Sequence, residues 1–175
     1  SRIDAWNSKN LAKLPIFEPG LSSIIKEVRG RNLKFSTNVN DSIRKADMVF
    51  ISVNTPIKEK GIGAGETSDL RWVESCARKI RDIAKGHTIV VEKSTLPVKT
   101  AQTIKDILFS SKYHENEEKS FSVLSNPEFL AEGNAIKDLE KPDRVLIGGD
   151  DKESMQALNN IYLNWIPQEK LIFTN

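Results

Sequence analysis

The sequence has very little cysteine, histidine or net charge, and each shortage excludes a class of protein. Its one cysteine, Cys76, excludes an internal disulfide and a zinc site built from several thiolates. His87 and His114 have no ligand-like neighbours in the sequence, so no metal site is predicted. The net charge of +2, with basic and acidic residues intermixed, offers no basic patch to a nucleic acid or an anionic membrane.

A long apolar run and a leader-like start are also missing. No stretch approaches the roughly 20 apolar residues of a membrane span, and the opening SRIDAWNSKN lacks the charged and then apolar order of a signal peptide. The sequence therefore predicts a cytoplasmic protein without a membrane partner. Its 175 residues, of which 38% are hydrophobic, are enough for one domain, residues 1–175, with a buried core.

Short β-branched runs alternate with segments of helical period, which indicates βα units around a mainly parallel sheet. The predicted strands are Leu33–Thr37, Met48–Val53, Thr88–Glu92, Phe121–Ser125, Arg144–Gly149 and Leu171–Thr174. Apolar residues at helical spacing predict helices over 21–28, 70–84 and 98–108. Asp69 is a candidate N-cap for the second helix, and Gly30 and Gly86 are predicted to end the first and the second.

The residues that follow each strand matter, because ligands in open α/β sheets bind beyond the carboxyl ends of the strands. Three predicted strands are followed by polar segments that would open at one edge: Asn54-Thr55-Pro56, Lys93-Ser94-Thr95-Leu96-Pro97 and Asn126-Pro127-Glu128. Taken singly, each has a structural explanation as a turn, a helix start or the acidic first turn of a helix. Three of them at one edge favour a ligand site.

The third segment begins a stretch with two carboxylates, Glu128 and Glu132, four residues apart. Pro127 fixes the backbone at the strand exit, and the spacing predicts that Glu132 lies one helical turn further on. Both side chains could then face one cleft and move protons, or both could be acids favoured by the dipole at a helix start.

Two other features carry less weight. The glycine-rich Gly61–Gly65 stretch resembles a dinucleotide loop, but it lies past the strand exit and its third glycine comes one residue early, which indicates a flexible loop. Cys76 falls in the middle of a predicted helix without a histidine nearby in the sequence. A buried structural thiol is therefore predicted there, since free cysteine is among the most buried residue types.

Long ordered runs of the sequence resemble the N-terminal domain of the UDP-glucose 6-dehydrogenase family, namely VFISVNTP, VEKSTLPVKTA and LSNPEFLAEGNAIKDLEKPDRVLIGG. The runs SRIDAWNS, LPIFEPGL and RGRNLKFSTN also resemble its eukaryotic-type members. The resemblance implies a Rossmann-like fold, NAD as cofactor, and UDP-glucose as a small-molecule substrate that is oxidised twice at C6 through a cysteine-bound thioester. Related enzymes share the Asn-Pro-Glu-Phe-Leu run, so GDP-mannose and UDP-N-acetylmannosamine remain alternative substrates.

The resemblance also implies a role for each candidate residue. Glu128 matches the glutamate that handles protons and activates water for thioester hydrolysis, and Thr95 matches the threonine that helps to hold that water. Contacts to NAD are implied for Arg2, Val53, Asn54, Thr55, Pro56, Ile57, Ser94, Thr95, Leu96 and Glu132. Contacts to the nucleotide sugar are implied for Glu128, Phe129, Leu130, Ala131 and Glu132.

By the same resemblance, the chain is an internal piece of the NAD-binding domain that lacks the first two strands. The glycine-rich turn, the catalytic cysteine, and the lysine and asparagine that hold the sugar intermediate would lie outside it. We therefore expect this chain to be inactive alone and the full-length enzyme to be a homo-oligomer. The second hypothesis is a non-catalytic nucleotide-binding module, and the presence of Thr95, Glu128 and Glu132 favours an enzyme instead.

Overall fold

A computed structural model describes residues 1–57, 68–94, 100–110 and 119–174. These residues form two compact units. The first unit contains Ser1–Val39 and Phe129–Asp143, and the second contains Asn40–Glu128 and Arg144–Asn175. No helix in the described ranges is long and apolar enough to cross a membrane.

Helices and strands alternate through the second unit, whereas the first unit is mainly helical. The α-helices are α1 (Arg2–Asn7), α2 (Leu21–Val28), α3 (Val39–Arg44), α4 (Arg71–Ile83), α5 (Thr100–Leu108), α6 (Ala135–Glu140) and α7 (Lys152–Tyr162). The strands are β1 (Met48–Ile51), β2 (His87–Glu92), β3 (Ser120–Ser125), β4 (Val145–Gly148) and β5 (Leu171–Thr174). Short 3₁₀ turns occur at Leu11–Lys13 and Gln168–Lys170.

The five strands form one sheet in the order β1-β2-β3-β4-β5. Strands β1, β2 and β3 are parallel to one another, as are β4 and β5. Between these two groups, β3 and β4 meet as antiparallel neighbours at the pair Ser125 and Gly148. This arrangement confirms the predicted α/β fold with a mainly parallel sheet and flanking helices.

Apolar side chains cover both faces of the sheet, as the nearly continuous hydrophobic strands predict. On one face Val90 packs with Val73 and Ile80 of α4 and with Ile104 of α5. On the other face Val91 and Leu124 pack with Leu158 and Tyr162 of α7. Neighbouring residues of β2 therefore point to opposite faces of the sheet.

The predicted helices are confirmed, with one correction at a helix start. Helix α2 ends just before Gly30, whose φ of 84° is a left-handed conformation that suits glycine. Helix α4 ends shortly before Gly86, which also has a positive φ. The N-cap of α4 is Leu70 and not Asp69. Asp69 instead accepts hydrogen bonds from the backbone N–H and the guanidinium of Arg71.

The prediction of a strand at Leu33–Thr37 is wrong. All of these residues are described, and their β-pairing is limited to an isolated bridge between Arg29 and Leu33. Phe35 instead stacks on Trp6 of α1, with ring centroids 4.9 Å apart, and its carbonyl accepts a hydrogen bond from the Asn7 side chain. A strand forms when its backbone is hydrogen-bonded to the backbone of a neighbouring segment. Here the Phe35 carbonyl is instead bonded by a helix side chain.

Strand β1 is also shorter than predicted, since it ends at Ile51 and not at Val53. The Gly61–Gly65 stretch and Val98, the first apolar residue predicted for the third helix, lie outside the described residues. The described part of the third predicted helix is α5, which begins at Thr100.

Candidate functional site

The carboxyl ends of β1, β2 and β3 lie side by side. In the parallel ladder Ile51 pairs with Glu92, and Glu92 pairs with Ser125. These are the last residues of their strands. The prediction that the three polar segments open at one edge of the sheet is therefore confirmed for the start of each segment.

Hydrogen bonds from the end of β2 hold the segment that follows β1. The backbone N–H of Lys93 donates to the carbonyl of Ile51 at 3.0 Å, and the Ser94 hydroxyl donates to the carbonyl of Val53 at 2.8 Å. Two of the predicted cofactor residues, Val53 and Ser94, are thus brought into direct contact. Further along, the backbone N–H of Asp69 donates to the Pro56 carbonyl at 2.7 Å, which fixes the other end of this segment.

Within this segment the exposed residues are Asn54, Pro56 and Ile57, whereas Val53 and Thr55 are half-buried. Ile57 forms an isolated bridge with Ser68, yet 63% of its surface is exposed. The segment therefore has a backbone anchored at both ends and side chains open to solvent. Such a surface at the carboxyl end of a parallel sheet is where an extended ligand binds in α/β proteins.

Asn126 joins the two parallel halves of the sheet through its side chain. It is fully buried, and its Nδ2 donates to the Leu146 carbonyl of β4 at 2.7 Å. Its Oδ1 accepts a hydrogen bond from the Tyr162 hydroxyl at 2.6 Å and another from the Lys93 Nζ at 3.1 Å. Because β3 and β4 pair at one position, the Asn126 amide supplies hydrogen bonding that the short ladder does not.

The ammonium of Lys93 lies inside this polar cluster. Besides Asn126 it donates to the Tyr162 hydroxyl at 3.2 Å, and it lies 5.8 Å from the centre of the Tyr162 ring. Burial lowers the pKa of Lys93 below its ordinary value, and the negative charge of Glu128 acts in the opposite direction.

Glu92 is a buried carboxyl on the opposite face of β2 from Lys93. Only 5% of its surface is exposed. Burial raises its pKa to about 7, and a hydrogen bond with Ser125 acts in the opposite direction. A carboxyl with this pKa is neutral over part of the range in which most carboxyls are charged.

We expect the Glu92 carboxyl to make stability fall as pH rises from 4.5 to about 7. In that window folded Glu92 keeps its proton while the unfolded chain loses it, so the contribution decreases by about 1.4 kcal/mol per pH unit and levels off above the folded pKa. Urea unfolding at several pH values tests this expectation. Glu92→Gln should remove the decrease, and the exposed-residue control Glu140→Gln should leave it; equal slopes in all three proteins would contradict the assignment.

The segment that carries Glu128 and Glu132 is not helical, which corrects the prediction that one helical turn separates them. Helix α6 begins only at Ala135. The backbone is held in another way: the Ala131 N–H donates to the Asp138 carboxylate at 3.0 Å, and Gly133 has a φ of 81°. The reading of both glutamates as first-turn acids of a helix is therefore wrong as well.

Within the first unit, Glu18 holds the residues that follow Glu132. Its carboxylate accepts the backbone N–H of Gly133 at 2.9 Å and that of Ala135 at 3.3 Å. Glu18 belongs to the LPIFEPGL run, far away in sequence, so the turn before α6 has a fixed anchor. Ahead of this turn, Phe129 and Leu130 leave 49% and 37% of their surfaces exposed.

A family model built on known sequences matches residues 1–166, and it describes the NAD binding domain of the UDP-glucose/GDP-mannose dehydrogenase family. The chain belongs to this family. The matched residues include the ends of β1, β2 and β3 and all the candidate site residues.

Relatives in this family cover nearly the whole chain. UDP-glucose 6-dehydrogenase 5 of Oryza sativa subsp. japonica is 53% identical over 99% of this chain, and UDP-glucose 6-dehydrogenase of Rattus norvegicus is 52% identical over 100%. The chain spans 36% and 35% of the lengths of these relatives.

Solved structures share the same fold. A GDP-mannose dehydrogenase from Pseudomonas aeruginosa superposes with a TM-score of 0.82 at 31% identity, over 99% of this chain and 38% of that chain. A UDP-glucose dehydrogenase from Pyrobaculum islandicum gives a TM-score of 0.77 at 30% identity, over 92% of this chain and 36% of that chain. The Rossmann-like fold of a nucleotide-sugar dehydrogenase is thus supported by both sequence and structure.

The structure brings some predicted site residues together and leaves others as predictions. Val53 and Ser94 are in contact, and Glu128 follows the end of β3 at the same edge of the sheet. Asn54, Thr55, Pro56 and Ile57 lie in the segment that follows β1, in the second unit. Five other candidates belong to the first unit: Arg2, the exposed first residue of α1, and Phe129, Leu130, Ala131 and Glu132. Thr95 and Leu96 lie outside the described residues.

Cys76 is half-buried on α4 and packs against the core on that side of the sheet, where burial raises the pKa of its thiol. The prediction that the Cys76 thiol is buried is therefore correct only in part. A raised pKa keeps the thiol protonated and makes it a poor nucleophile, so its structural role stands.

Sequence reasoning placed Lys93 and Asn126 in the polar segments after two strands but gave them no role of their own, and it gave none to Glu92. Each had a signal: Glu92 and Lys93 are charged residues at the end of an otherwise apolar strand, and Asn126 follows β3 directly. Tyr162, which completes the cluster around Asn126, carried no signal, since its position on α7 matches that of an ordinary core residue.

Proposed function

We propose that the complete protein containing this chain oxidises UDP-glucose to UDP-glucuronate with NAD in two successive hydride transfers. The observation that carries the proposal is that β1, β2 and β3 end side by side, so that the polar segments which follow them, Glu128 among them, begin at one edge of the sheet. Two facts support the substrate and the cofactor: relatives named UDP-glucose 6-dehydrogenase are 53% identical over nearly the whole chain, and the matching family model is an NAD binding domain.

The residues present fit a bound NAD molecule. The backbone after β1 is anchored by Ser94 and Asp69 but presents exposed side chains, so a ligand can lie along it without the segment losing its hydrogen bonds. When bound, NAD accepts the hydride in each oxidation. In our proposal the contacts to NAD come from Arg2, Val53, Asn54, Thr55, Pro56, Ile57, Ser94, Thr95, Leu96 and Glu132.

Glu128 is the proposed proton-transfer group. It lies beyond the end of β3. The proposed contacts to the nucleotide sugar come from Glu128, Phe129, Leu130, Ala131 and Glu132. A carboxylate there can take a proton from the water that releases the product from a cysteine outside this chain. Thr95 is the proposed partner that holds this water.

Glu132 has a different proposed role, which gives a separate prediction. Glu132→Gln should raise the KM for NAD several-fold and leave kcat nearly unchanged, because it removes a contact to the cofactor and not a proton-transfer group. Steady-state kinetics with varied NAD checks this. Glu140→Gln, an exposed change on α6, is the control; a kcat that falls while the NAD KM stays the same would contradict the cofactor role.

Turnover of a substrate panel tests the proposed function. The complete protein is incubated with NAD and with UDP-glucose, GDP-mannose or UDP-N-acetylmannosamine, and NADH absorbance is followed. We expect UDP-glucose to give two NADH per sugar at the highest kcat/KM. GDP-mannose is the second candidate, since the Pseudomonas aeruginosa neighbour and the family description both name it. No NADH from any of the three sugars would favour a non-catalytic nucleotide-binding module.

We propose that the complete enzyme is a homo-oligomer, which sedimentation can check, and that it works in the cytoplasm.

A further inference from the structure

We propose that Glu18 is a positioning residue for the nucleotide sugar, because it fixes the turn that follows residues 129–132, the proposed sugar contacts. The inference deepens the proposed dehydrogenase function and rests on its assignment of those contacts. Glu18 is not proposed to touch the substrate; it acts through the backbone of Gly133 and Ala135. These two residues are 115 and 117 positions away from Glu18 in the sequence.

The segment that carries the proposed sugar contacts has few interactions of its own to hold its shape. Residues 128–134 lie between β3 and α6, outside any helix or strand, and all of them are exposed. A segment with few buried apolar contacts opens locally at a low free-energy cost unless hydrogen bonds restrain it. The conformation in which residues 129–132 meet a ligand therefore depends on the hydrogen bonds around them.

Two carboxylates bond the backbone of this region, and one of them comes from a distant part of the first unit. Asp138 accepts the N–H of Ala131 at 3.0 Å, but it lies on α6, whose six residues are all described and none of them buried. Asp138 therefore restrains the turn only relative to α6. Glu18 accepts the N–H of Gly133 with Oε1 at 2.9 Å and that of Ala135 with Oε2 at 3.3 Å. These bonds tie the turn to the residues ahead of α2.

The backbone of Glu18 is itself fixed. Its carbonyl accepts the N–H of Leu21, the first residue of α2, at 3.1 Å, and Pro19 restricts the next backbone angle. Gly20 lies against the start of α6, since a Cβ atom built on it would be 3.9 Å from the Ile136 Cγ2. The carboxylate therefore extends from a fixed turn that already lies beside the residues it bonds.

The contact requires two acceptors, which a carboxylate provides. Each Glu18 oxygen accepts one backbone N–H, and hydrogen bonds to a carboxylate are roughly twice as strong as those between neutral groups. Glutamine has the same length but one oxygen, so its NH₂ group would face the second N–H as donor against donor. Alanine removes both acceptors. Glu18→Gln and Glu18→Ala therefore form a graded pair.

Steady-state kinetics of the complete enzyme tests the proposal, with UDP-glucose and NAD varied in turn. We expect Glu18→Ala to raise the KM for UDP-glucose roughly ten- to hundredfold, because a misplacement of about 1 Å can cost about 10²-fold. Glu18→Gln, which keeps one acceptor, should give a smaller increase. The KM for NAD should rise no more than in Glu132→Gln, since Glu132 is the proposed NAD contact beside the anchored turn. An unchanged KM for UDP-glucose in Glu18→Ala would overturn the proposal.

The matched control is Glu27→Ala, which removes an exposed carboxylate of α2 and should change neither KM. The split between KM and kcat separates positioning from loss of folded enzyme. A change that only destabilises the fold leaves less active protein, which lowers kcat and leaves KM the same. We expect kcat in Glu18→Ala to fall by a smaller factor than the KM for UDP-glucose rises. A lower kcat with the same KM would contradict the positioning role.

Amide hydrogen exchange gives a readout that does not depend on activity. In the unmodified protein the N–H groups of Gly133 and Ala135 are bonded to Glu18, so Glu18→Ala should speed their exchange roughly tenfold. Glu27→Ala should leave that rate unchanged. Equal rates in Glu18→Ala and the unmodified protein would overturn the proposal. Faster exchange with an unchanged KM for UDP-glucose would also overturn it, since Glu18 would then serve the turn alone.

Folding of the variants is followed by circular dichroism. If Glu18→Ala does not fold, Glu18→Gln carries the same measurements, and failure of both to fold would show that Glu18 serves the fold and would overturn the proposal. Failure of the proposed function is distinguishable, because the unmodified enzyme would then produce no NADH from any sugar of the panel. Calorimetry would still compare UDP-glucose binding by the unmodified protein and the variant, and equal Kd values would overturn the role of Glu18.

Discussion

Replacing Glu128 with glutamine is expected to reduce NADH formation by the complete enzyme by roughly 10² to 10⁴-fold, the range that general acid–base catalysis typically contributes. Glutamine keeps the shape and hydrogen-bonding capacity of the side chain but cannot accept a proton at neutral pH. The first oxidation should therefore proceed further than the hydrolysis that follows, and labelled sugar should remain attached to the protein.

The measurement is pre-steady-state NADH formation together with the mass of the intact protein after incubation with UDP-glucose and NAD. Glu140→Gln, a neutralised carboxyl on the exposed surface of α6, should behave as the unmodified enzyme does. Normal turnover by Glu128→Gln without an adduct would show that the Glu128 carboxylate is a surface charge without a catalytic role.

Replacing Asn126 with leucine is expected to lower the free energy of unfolding by about 3 kcal/mol or more. The change leaves the Leu146 carbonyl, the Tyr162 hydroxyl and the Lys93 ammonium without a partner that each has in the folded protein. A buried polar group left unsatisfied costs about 1 to 3 kcal/mol, and a charged group costs more. The loss should therefore exceed that of most single substitutions.

Urea denaturation of the complete enzyme and of the two variants tests this prediction. Tyr162→Phe removes one hydroxyl and leaves Asn126 bonded to Leu146 and Lys93, so its midpoint should shift by much less than that of Asn126→Leu. Equal shifts would mean that the hydrogen bond between Tyr162 and Asn126, and not the link to β4, carries the stability of this cluster.

The five strands and the helices α2, α4 and α5 were predictable because their signals are local. Apolar runs such as the one through Val90 and Val91 indicate strands covered on both faces, and both faces are indeed covered. Helices α2 and α4 have apolar residues at regular helical spacing and a glycine beyond the end of each. Their boundaries were therefore predicted to within a few residues.

The errors occur where a long-range contact decides the local structure. Phe35 has the pattern of a strand residue, but its ring stacks on Trp6 and its backbone bonds a helix side chain. Glu128 and Glu132 have helical spacing, yet Glu18, more than a hundred residues earlier in the chain, holds the turn that follows them. No local pattern contains these contacts.

The candidate site was predictable in part. Parallel strands end at one edge, so the segments after β1, β2 and β3 were expected together, and the family resemblance assigned Glu128 a role. The cluster of Lys93, Asn126 and Tyr162 was not foreseen, because it joins residues that are far apart in sequence and depends on how α7 packs on the sheet.

A crystal structure of the complete enzyme with NAD and UDP-glucose would test the central claim most directly. It should show the Glu128 carboxylate within hydrogen-bonding reach of the sugar C6 hydroxyl, about 2.6 to 3.2 Å or through one water, with NAD along Val53–Ile57. Lys93 should remain bonded to Asn126. A sugar bound away from the ends of β2 and β3, with Glu128 in solvent, would contradict the account.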